Sequence, residues 1–218
     1  MLEAVLFDWS NTLVRFTWDD DLLLAGHRAA LGHDDPEFTA RYRELVLGDT
    51  EHRPYAELLA ELGVADPHSF INAEHEVWLP AHEVLAAAPA LLESLRGRGL
   101  KTGLVANSWP DPPRLLRADA ERYRLAPLLD VQVWSGEVGV RKPDAEIFLT
   151  ALRALGVDPE AAMFVGDSLD ADVAGAAELG MSTVQALWFR ADDSGGVEPD
   201  FLAFTPMDVL NAVARLAL

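Results

Sequence analysis

The chain has 218 residues, half of them hydrophobic, and 36 acidic against 17 basic side chains give it a formal net charge of −19. This length and composition allow a core of ordinary size, so we do not expect a disordered chain. The acidic balance argues against nucleic acid or an anionic membrane as a partner, and the absence of cysteine excludes disulfides, thiolate metal sites and a cysteine nucleophile.

Short apolar segments rich in valine and leucine predict strands that are buried on both faces. In chain order they are residues 4–7, 102–106, 131–134, 163–165 and 183–187. Predicted helices separate most of them, and those at 89–98, 144–155 and 170–179 each end before a glycine. This alternation predicts an α/β fold with a Rossmann-like parallel sheet between two layers of helices, a three-layer α/β/α arrangement.

The segment between the first two predicted strands departs from this alternation. Residues 15–84 hold apolar side chains at helical spacing, such as Leu58 and Leu62, and no convincing strand. We therefore predict a small all-helical insert. The predicted domains are an α/β core made of residues 1–14 and 85–218, and a helical domain made of residues 15–84.

Polar side chains follow three of the predicted strands. Asp8 follows the first strand, Asn107 the second, and Asp167 comes after the strand at 163–165. Since open parallel sheets bind ligands at the carboxyl ends of their strands, these side chains should converge on one crevice. Asp172 lies five positions after Asp167, and the hard carboxylate oxygens of such a set suit magnesium.

Four motifs, in order along the chain, resemble those of the haloacid dehalogenase (HAD) superfamily. They are Asp-Trp-Ser-Asn-Thr at 8–12, Leu-Val-Ala-Asn-Ser at 104–108, Val-Arg-Lys-Pro-Asp-Ala-Glu-Ile-Phe at 140–148, and Val-Gly-Asp-Ser-Leu-Asp-Ala-Asp-Val-Ala-Gly-Ala at 165–176. The phosphatases of that family have a second Asp where this chain has Ser10. They have Ser or Thr where this chain has Ala106.

The resemblance implies that Asp8 is the nucleophile and forms an aspartyl intermediate, with Lys142 neutralising the nucleophile and the transferred group. It also implies magnesium held by Asp8, Asp167 and the main-chain carbonyl of Ser10, and a helical cap formed by the insert. Asp172 is a further candidate metal ligand. Only two of the 17 basic residues are lysines, which argues against Lys142 as ordinary surface filler.

Three residues near these motifs are candidate substrate ligands. Ser10 lies in the nucleophile loop, Asn107 matches the family's residue and could bond the substrate or the loop itself, and Ser108 could replace the hydroxyl missing at position 106. Asp170 lies between two candidate metal ligands, but we interpret it as the N-cap of the following helix.

Ser10 decides which functions stay open, because serine cannot act as the general acid and base at neutral pH. The first hypothesis is a magnesium-dependent hydrolase with non-standard acid–base machinery that acts on a small phosphorylated substrate. The second is a catalytically weak or inactive pseudo-phosphatase that binds a ligand or partner. The third is a 2-haloacid dehalogenase, which needs no leaving-group acid, although such enzymes use no metal and carry other residues at 166–168. Phosphonate cleavage is excluded, because it requires a cap lysine and residues 15–84 contain none.

The sequence also carries expectations about location. The longest uncharged apolar run, residues 84–92, contains a proline and is too short to span a bilayer. The first residues lead directly into a strand, without the pattern of a secretory signal. We expect a cytoplasmic protein whose partner is a small molecule.

Overall fold

The computed structural model describes residues 1–46, 53–190 and 196–216. Its contacts divide the chain into two compact units. The α/β unit comprises the described residues of 1–15, 84–108 and 117–218, and the helical unit those of 16–83 and 109–116. Within the described ranges, no helix combines the length and the apolar character needed to cross a membrane.

The α/β unit is built on a six-stranded sheet in which every neighbouring pair is parallel. Its strands are β1 (Ala4–Phe7), β4 (Lys101–Ala106), β5 (Val131–Trp134), β6 (Ala162–Gly166), β7 (Ser182–Ala186) and β8 (Phe201–Ala203). Their order across the sheet is β5-β4-β1-β6-β7-β8. Two shorter strands, β2 (Val14–Arg15) and β3 (Glu83–Val84), lie outside this sheet. The predicted parallel sheet is confirmed.

Helices follow most strands of this unit. They are α5 (Ala88–Gly97), α7 (Ser135–Val138), α8 (Ala145–Leu155), α9 (Ala174–Glu178) and α10 (Pro206–Leu216), with single 3₁₀ turns at 126–128 and 159–161. All four residues of β1 are completely buried, because β1 lies in the middle of the sheet between β4 and β6. Asp8, the residue after β1, therefore follows a central strand of the sheet.

The helical unit contains α1 (Asp20–Leu31), α2 (Pro36–Val46), α3 (Tyr55–Glu61) and α4 (Pro67–Trp78), and α6 (Pro113–Arg122) begins in it. The Asp19 side chain caps α1 by accepting from two backbone N–H groups, and Asp66 caps α4 in the same way with one. Buried side chains such as Leu23, Phe38 and Phe70 form its core. The role of residues 15–84 as a cap, and its boundaries, stay a prediction.

The sequence-based elements differ from the structure at several places. The strands β2 and β3, which fall at the two ends of the segment 15–84, were not predicted, because two residues are too few to show an alternating pattern. The edge strand β8 was not predicted, because it has three residues and its middle side chain, Leu202, is exposed. The predicted helix at 170–179 begins with one wider π-helical turn, Leu169–Val173, and the prediction that Asp170 caps it is wrong. The cap is Ser168, whose hydroxyl accepts a hydrogen bond from the backbone N–H of Ala171 at 3.2 Å.

Candidate active site

The residues that follow β1, β4 and β6 lie together at one edge of the sheet. The register pairs Phe7 with Leu104 on one side and with Val165 on the other, so the three strands reach this edge side by side. The backbone N–H of Asp8 continues the ladder and donates to the carbonyl of Val165 at 2.9 Å. Asp8 therefore leaves the sheet at its carboxyl edge, where parallel sheets bind their ligands.

Three carboxylates and one lysine form a buried cluster at this edge. Oxygens of Asp8, Asp167 and Asp172 lie within 4.8 Å of one another, and all three side chains are buried. Lys142 Nζ donates to Asp8 Oδ1 at 2.5 Å and to Asp172 Oδ1 at 2.6 Å. The candidate nucleophile, the candidate lysine and the candidate metal ligands of the sequence analysis are thus brought together.

Asp172 reaches the cluster because its helix begins with a wide turn over the end of β6. Its Oδ2 accepts a hydrogen bond from the backbone N–H of Ser168 at 3.0 Å. The side chain lies directly against Gly166, where a Cβ would come within 2.3 Å of the Asp172 carboxyl group. Only glycine at position 166 leaves room for the Asp172 carboxylate to face the site.

The loop after Asp8 is a tight turn held by its own backbone. The N–H groups of Leu13 and Val14 both donate to the carbonyl of Trp9 at 3.0 Å, and Asn11 takes a left-handed conformation with φ 57°. Asparagine tolerates that conformation better than most residues. Ser10 is exposed on this loop. Its roles as a substrate ligand and as a main-chain metal ligand stay predictions.

Asn107 holds the backbone that carries the lysine. Its Oδ1 accepts from the N–H of Lys142 at 2.9 Å, and its Nδ2 donates to the carbonyl of Lys142 at 3.2 Å. Ser108 Oγ accepts from the N–H of Gly136 at 2.9 Å, at the start of α7. Both candidate substrate ligands therefore bond within the protein, and their contact with a substrate stays a prediction.

Arg190 is a site residue that the sequence analysis missed. Its Nε donates to Oδ2 of Asp167 in an ion pair, and Gln185 Nε2 donates to the Asp167 carbonyl at 3.4 Å. The loop that carries Arg190 is attached to the nucleophile loop, because Trp188 Nε1 donates to the carbonyl of Thr12 at 2.9 Å. No motif distinguishes this arginine from the many others in the sequence.

Known proteins resemble this chain over the residues that form the site. The family model of the haloacid dehalogenase-like hydrolases matches residues 2–180, which include every residue of the cluster. The chain belongs to this family of hydrolases. The resemblance inferred from the four motifs is therefore confirmed.

Two curated HAD relatives match over almost their whole length. The glyceraldehyde 3-phosphate phosphatase of Methanopyrus kandleri is 31% identical, with 100% of this chain and 99% of the relative covered. The phosphoglycolate phosphatase of Aquifex aeolicus is 26% identical, with 96% and 95% covered. A solved HAD phosphatase from Thermococcus onnurineus has a TM-score of 0.77 and 26% identity over 97% of this chain and 98% of its own.

Burial and mutual repulsion shift the titration of this HAD site. Burial raises the pKa of Asp8 to about 7; Lys142 opposes the shift, while the neighbouring Asp172 and Asp167 add to it. Burial also raises the pKa of Asp167, against the hydrogen bond from Arg190. Burial alone would lower the pKa of Lys142, but the Asp172 and Asp8 carboxylates outweigh it and the pKa is raised. Burial and the neighbouring carboxylates therefore disfavour the ionised form of Asp8 in this site.

The donor set fits a hard divalent cation. Asp8, Asp167 and Asp172 each offer a carboxylate oxygen from a buried position, and oxygen is the ligand that magnesium prefers. Three carboxylates face the positive charges of Lys142 and Arg190, which leaves an excess of one negative charge. This negative excess favours the binding of a further cation.

Proposed function

We propose that this HAD hydrolase is a magnesium-dependent phosphatase that acts on a small phosphorylated substrate through an aspartyl intermediate on Asp8. The observation that carries the proposal is the buried cluster in which Lys142 bridges Asp8 and Asp172 next to Asp167. It combines a carboxylate nucleophile, a fixed cation and a set of magnesium ligands in one place. The names of the relatives, which include two phosphatases of small phosphorylated metabolites, support the substrate class.

Asp8 would act as the nucleophile in two steps. Its carboxylate oxygen forms a bond to phosphorus while the phosphorus–oxygen bond to the leaving group breaks, and the electron pair leaves with that oxygen. Water then attacks phosphorus, which releases inorganic phosphate and returns the Asp8 carboxylate. Bound magnesium would supply electrostatic stabilisation of the transferred phosphoryl group.

Lys142 would stabilise the charge that moves in these steps. Its ammonium group is almost completely buried and lies 2.5 Å from Asp8 Oδ1, so little reorganisation accompanies the reaction. Asn107 fixes the backbone of the lysine through two hydrogen bonds. The chain thus holds its cation in place by both the side chain and the main chain.

Ser10 determines which substrates this site can hydrolyse quickly. A positioned general acid contributes about 10² to 10⁴ in rate, and serine supplies none at neutral pH. We infer that the enzyme acts on a substrate whose leaving group needs little protonation or supplies its own acid. A pseudo-phosphatase, the alternative, would keep the cluster of Asp8 and Lys142 but show no turnover. A cytoplasmic location remains our expectation.

The proposal is tested by phosphate release with saturating magnesium and with a chelator. The substrates are p-nitrophenyl phosphate, phosphoglycolate and glyceraldehyde 3-phosphate, and the control variant is Asp8→Asn. We expect magnesium-dependent release by the wild type and a loss of at least about 10³-fold in the variant, the scale of a lost nucleophile. Equal rates in the two proteins would contradict the role of Asp8.

A single turnover in heavy-oxygen water distinguishes the remaining alternatives. Attack of water on phosphorus places the label in the released phosphate, whereas a haloacid dehalogenase would incorporate it into Asp8. Halide release from a 2-haloacid is measured in parallel. Halide release with label in Asp8 would replace the proposal by dehalogenation, and no turnover of any substrate would favour the pseudo-phosphatase.

A further inference from the structure

We propose that Arg190 takes the place of a cation at Asp167 when no metal is bound, and that it leaves Asp167 when a divalent cation binds. Arg190 would then set the affinity of the site for magnesium, as a built-in competitor. The inference rests on the magnesium site of the proposed function. It adds a residue of this chain that controls how readily the site is filled.

The two cations that pair with the carboxylates of the cluster, Lys142 and Arg190, differ in how easily they can leave. The side chain of Lys142 is 2% exposed and is held by two carboxylates, whereas the side chain of Arg190 is 53% exposed. Removing Lys142 would leave buried charges without a partner, which is costly. Arg190 can return to water, because half of its side chain already contacts solvent. Arg190 is therefore the exchangeable cation and Lys142 the permanent one.

The charge balance favours the exchange. Asp8, Asp167 and Asp172 carry three negative charges when ionised, and Lys142 and Arg190 together carry two positive ones. Without Arg190 the deficit is two charges, which one divalent cation neutralises completely. With Arg190 still on Asp167, the same cation would leave the site with a net positive charge and would repel the guanidinium.

The position of Arg190 is set by the fold. Its loop begins where the N–H of Leu187 donates to the carbonyl of Ala203 at 2.8 Å, and Trp188 is bonded to the carbonyl of Thr12. Gln185, at the end of β7, donates to the Asp167 carbonyl. These hydrogen bonds fix the backbone on both sides of the ion pair, near Arg190 and at Asp167. The fold therefore places Arg190 beside Asp167 while about half of its side chain stays in solvent.

Calorimetric titration with magnesium chloride tests the competition. We expect Arg190→Gln to bind magnesium about two- to tenfold more tightly than the wild type, because a partly exposed ion pair contributes only a small free energy. The gain in affinity should shrink at high salt, which screens the charges. The matched control is Arg153→Gln. Arg153 likewise pairs with a carboxylate, that of Glu146, on an exposed surface, but on helix α8. It should leave the affinity unchanged.

Nuclear magnetic resonance of the arginine Nε–H groups tests the displacement itself. In the metal-free protein the Nε–H of Arg190 should be protected from exchange by Asp167, and the protection should disappear as magnesium is added. Unchanged protection at saturating magnesium would overturn the displacement. Equal or weaker magnesium binding by Arg190→Gln would overturn the competition.

Asp167→Asn separates this inference from the proposed function. If the wild type and Asp167→Asn bind magnesium equally, the metal site itself is wrong, and the inference about Arg190 is wrong with it. If Asp167→Asn weakens binding while Arg190→Gln changes nothing, the metal site stands and only the role of Arg190 is rejected. Circular dichroism of each variant confirms that it is folded.

Discussion

Gly166 and Asp172 lie so close together that a Cβ on residue 166 would come within 2.3 Å of the Asp172 carboxyl carbon and of its Oδ2. No side chain fits between the end of β6 and this carboxylate. The contact explains how an acid in the first turn of a helix can face back towards the sheet and accept a bond from Lys142. A residue without a side chain thus sets the geometry of the candidate site.

Gly166→Ala should therefore damage the site through Asp172. We expect the added methyl group to displace the carboxylate, weaken magnesium binding and lower the free energy of unfolding by about 1–3 kcal/mol, as overpacking does. Calorimetry and denaturant unfolding measure the two effects. Gly97→Ala is the matched control, because a Cβ added at Gly97 would meet no atom within 4 Å. It should stabilise by at most about 1 kcal/mol. Equal behaviour of the two variants would contradict the steric argument.

Lys142→Gln should destabilise the protein and abolish turnover. The substitution leaves Asp8 and Asp172 buried without their cation, and breaking a buried ion pair costs about 3–5 kcal/mol. Chemical unfolding and phosphate release measure these losses. The control is Lys101→Gln, the other lysine of the chain, which is half-buried and donates to the Leu155 carbonyl at 2.5 Å. It should keep the activity, and a wild-type rate in Lys142→Gln would remove the lysine from the mechanism.

Topology explains why much of the site could be predicted from the sequence. A strand buried on both faces is a continuous apolar run, so β1 was predicted with its observed bounds, Ala4–Phe7. Once the strands are parallel, the residues that follow them must share one edge of the sheet. The convergence of Asp8, Asn107 and Asp167 could therefore be predicted from the strand pattern alone, without knowledge of any side-chain contact.

Other parts of the site depend on the path of the chain in space. Arg190 lies 23 positions from Asp167, on a loop without periodicity, so only the tertiary structure brings the two together. Ser168 and Asp170 are both good N-cap residues by chemistry, and the propensity cannot choose between them. The wide turn at Leu169–Val173 decides in favour of Ser168.

The charge of Asp8 should reduce the stability of the metal-free protein at neutral pH. Its pKa is raised from 3.8 to about 7, so between these values the folded state binds more protons than the unfolded state, and stability falls as the pH rises. Asp8→Asn should therefore be more stable than the wild type at about pH 8, and the gain should shrink towards about pH 4. Thermal unfolding in a chelator at several pH values measures this.

The control for this pH dependence is Asp20→Asn. Asp20 is exposed, and hydrogen bonds, first from Trp18 and then from Arg43, lower its pKa, so its charge favours the folded state. This variant should show no gain at about pH 8, the condition at which Asp8→Asn is stabilised. If Asp8→Asn is also no more stable than the wild type at about pH 8, the Asp8 charge does not destabilise the folded protein as its raised pKa indicates.

Ser10→Asp should restore the general acid in a loop that otherwise keeps the nucleophile Asp8. Residue 10 is exposed, so a carboxylate fits there without the cost of burial. Turnover of an alkyl phosphate should rise by up to about 10² to 10⁴, whereas an activated aryl phosphate, whose leaving group needs no proton, should gain much less. The buried Ala106, which lacks the family's hydroxyl, limits the gain. Steady-state kinetics with both substrates measure the contrast. No change with either substrate, in a folded variant that binds magnesium, would show that the missing acid does not limit the rate and would favour the pseudo-phosphatase.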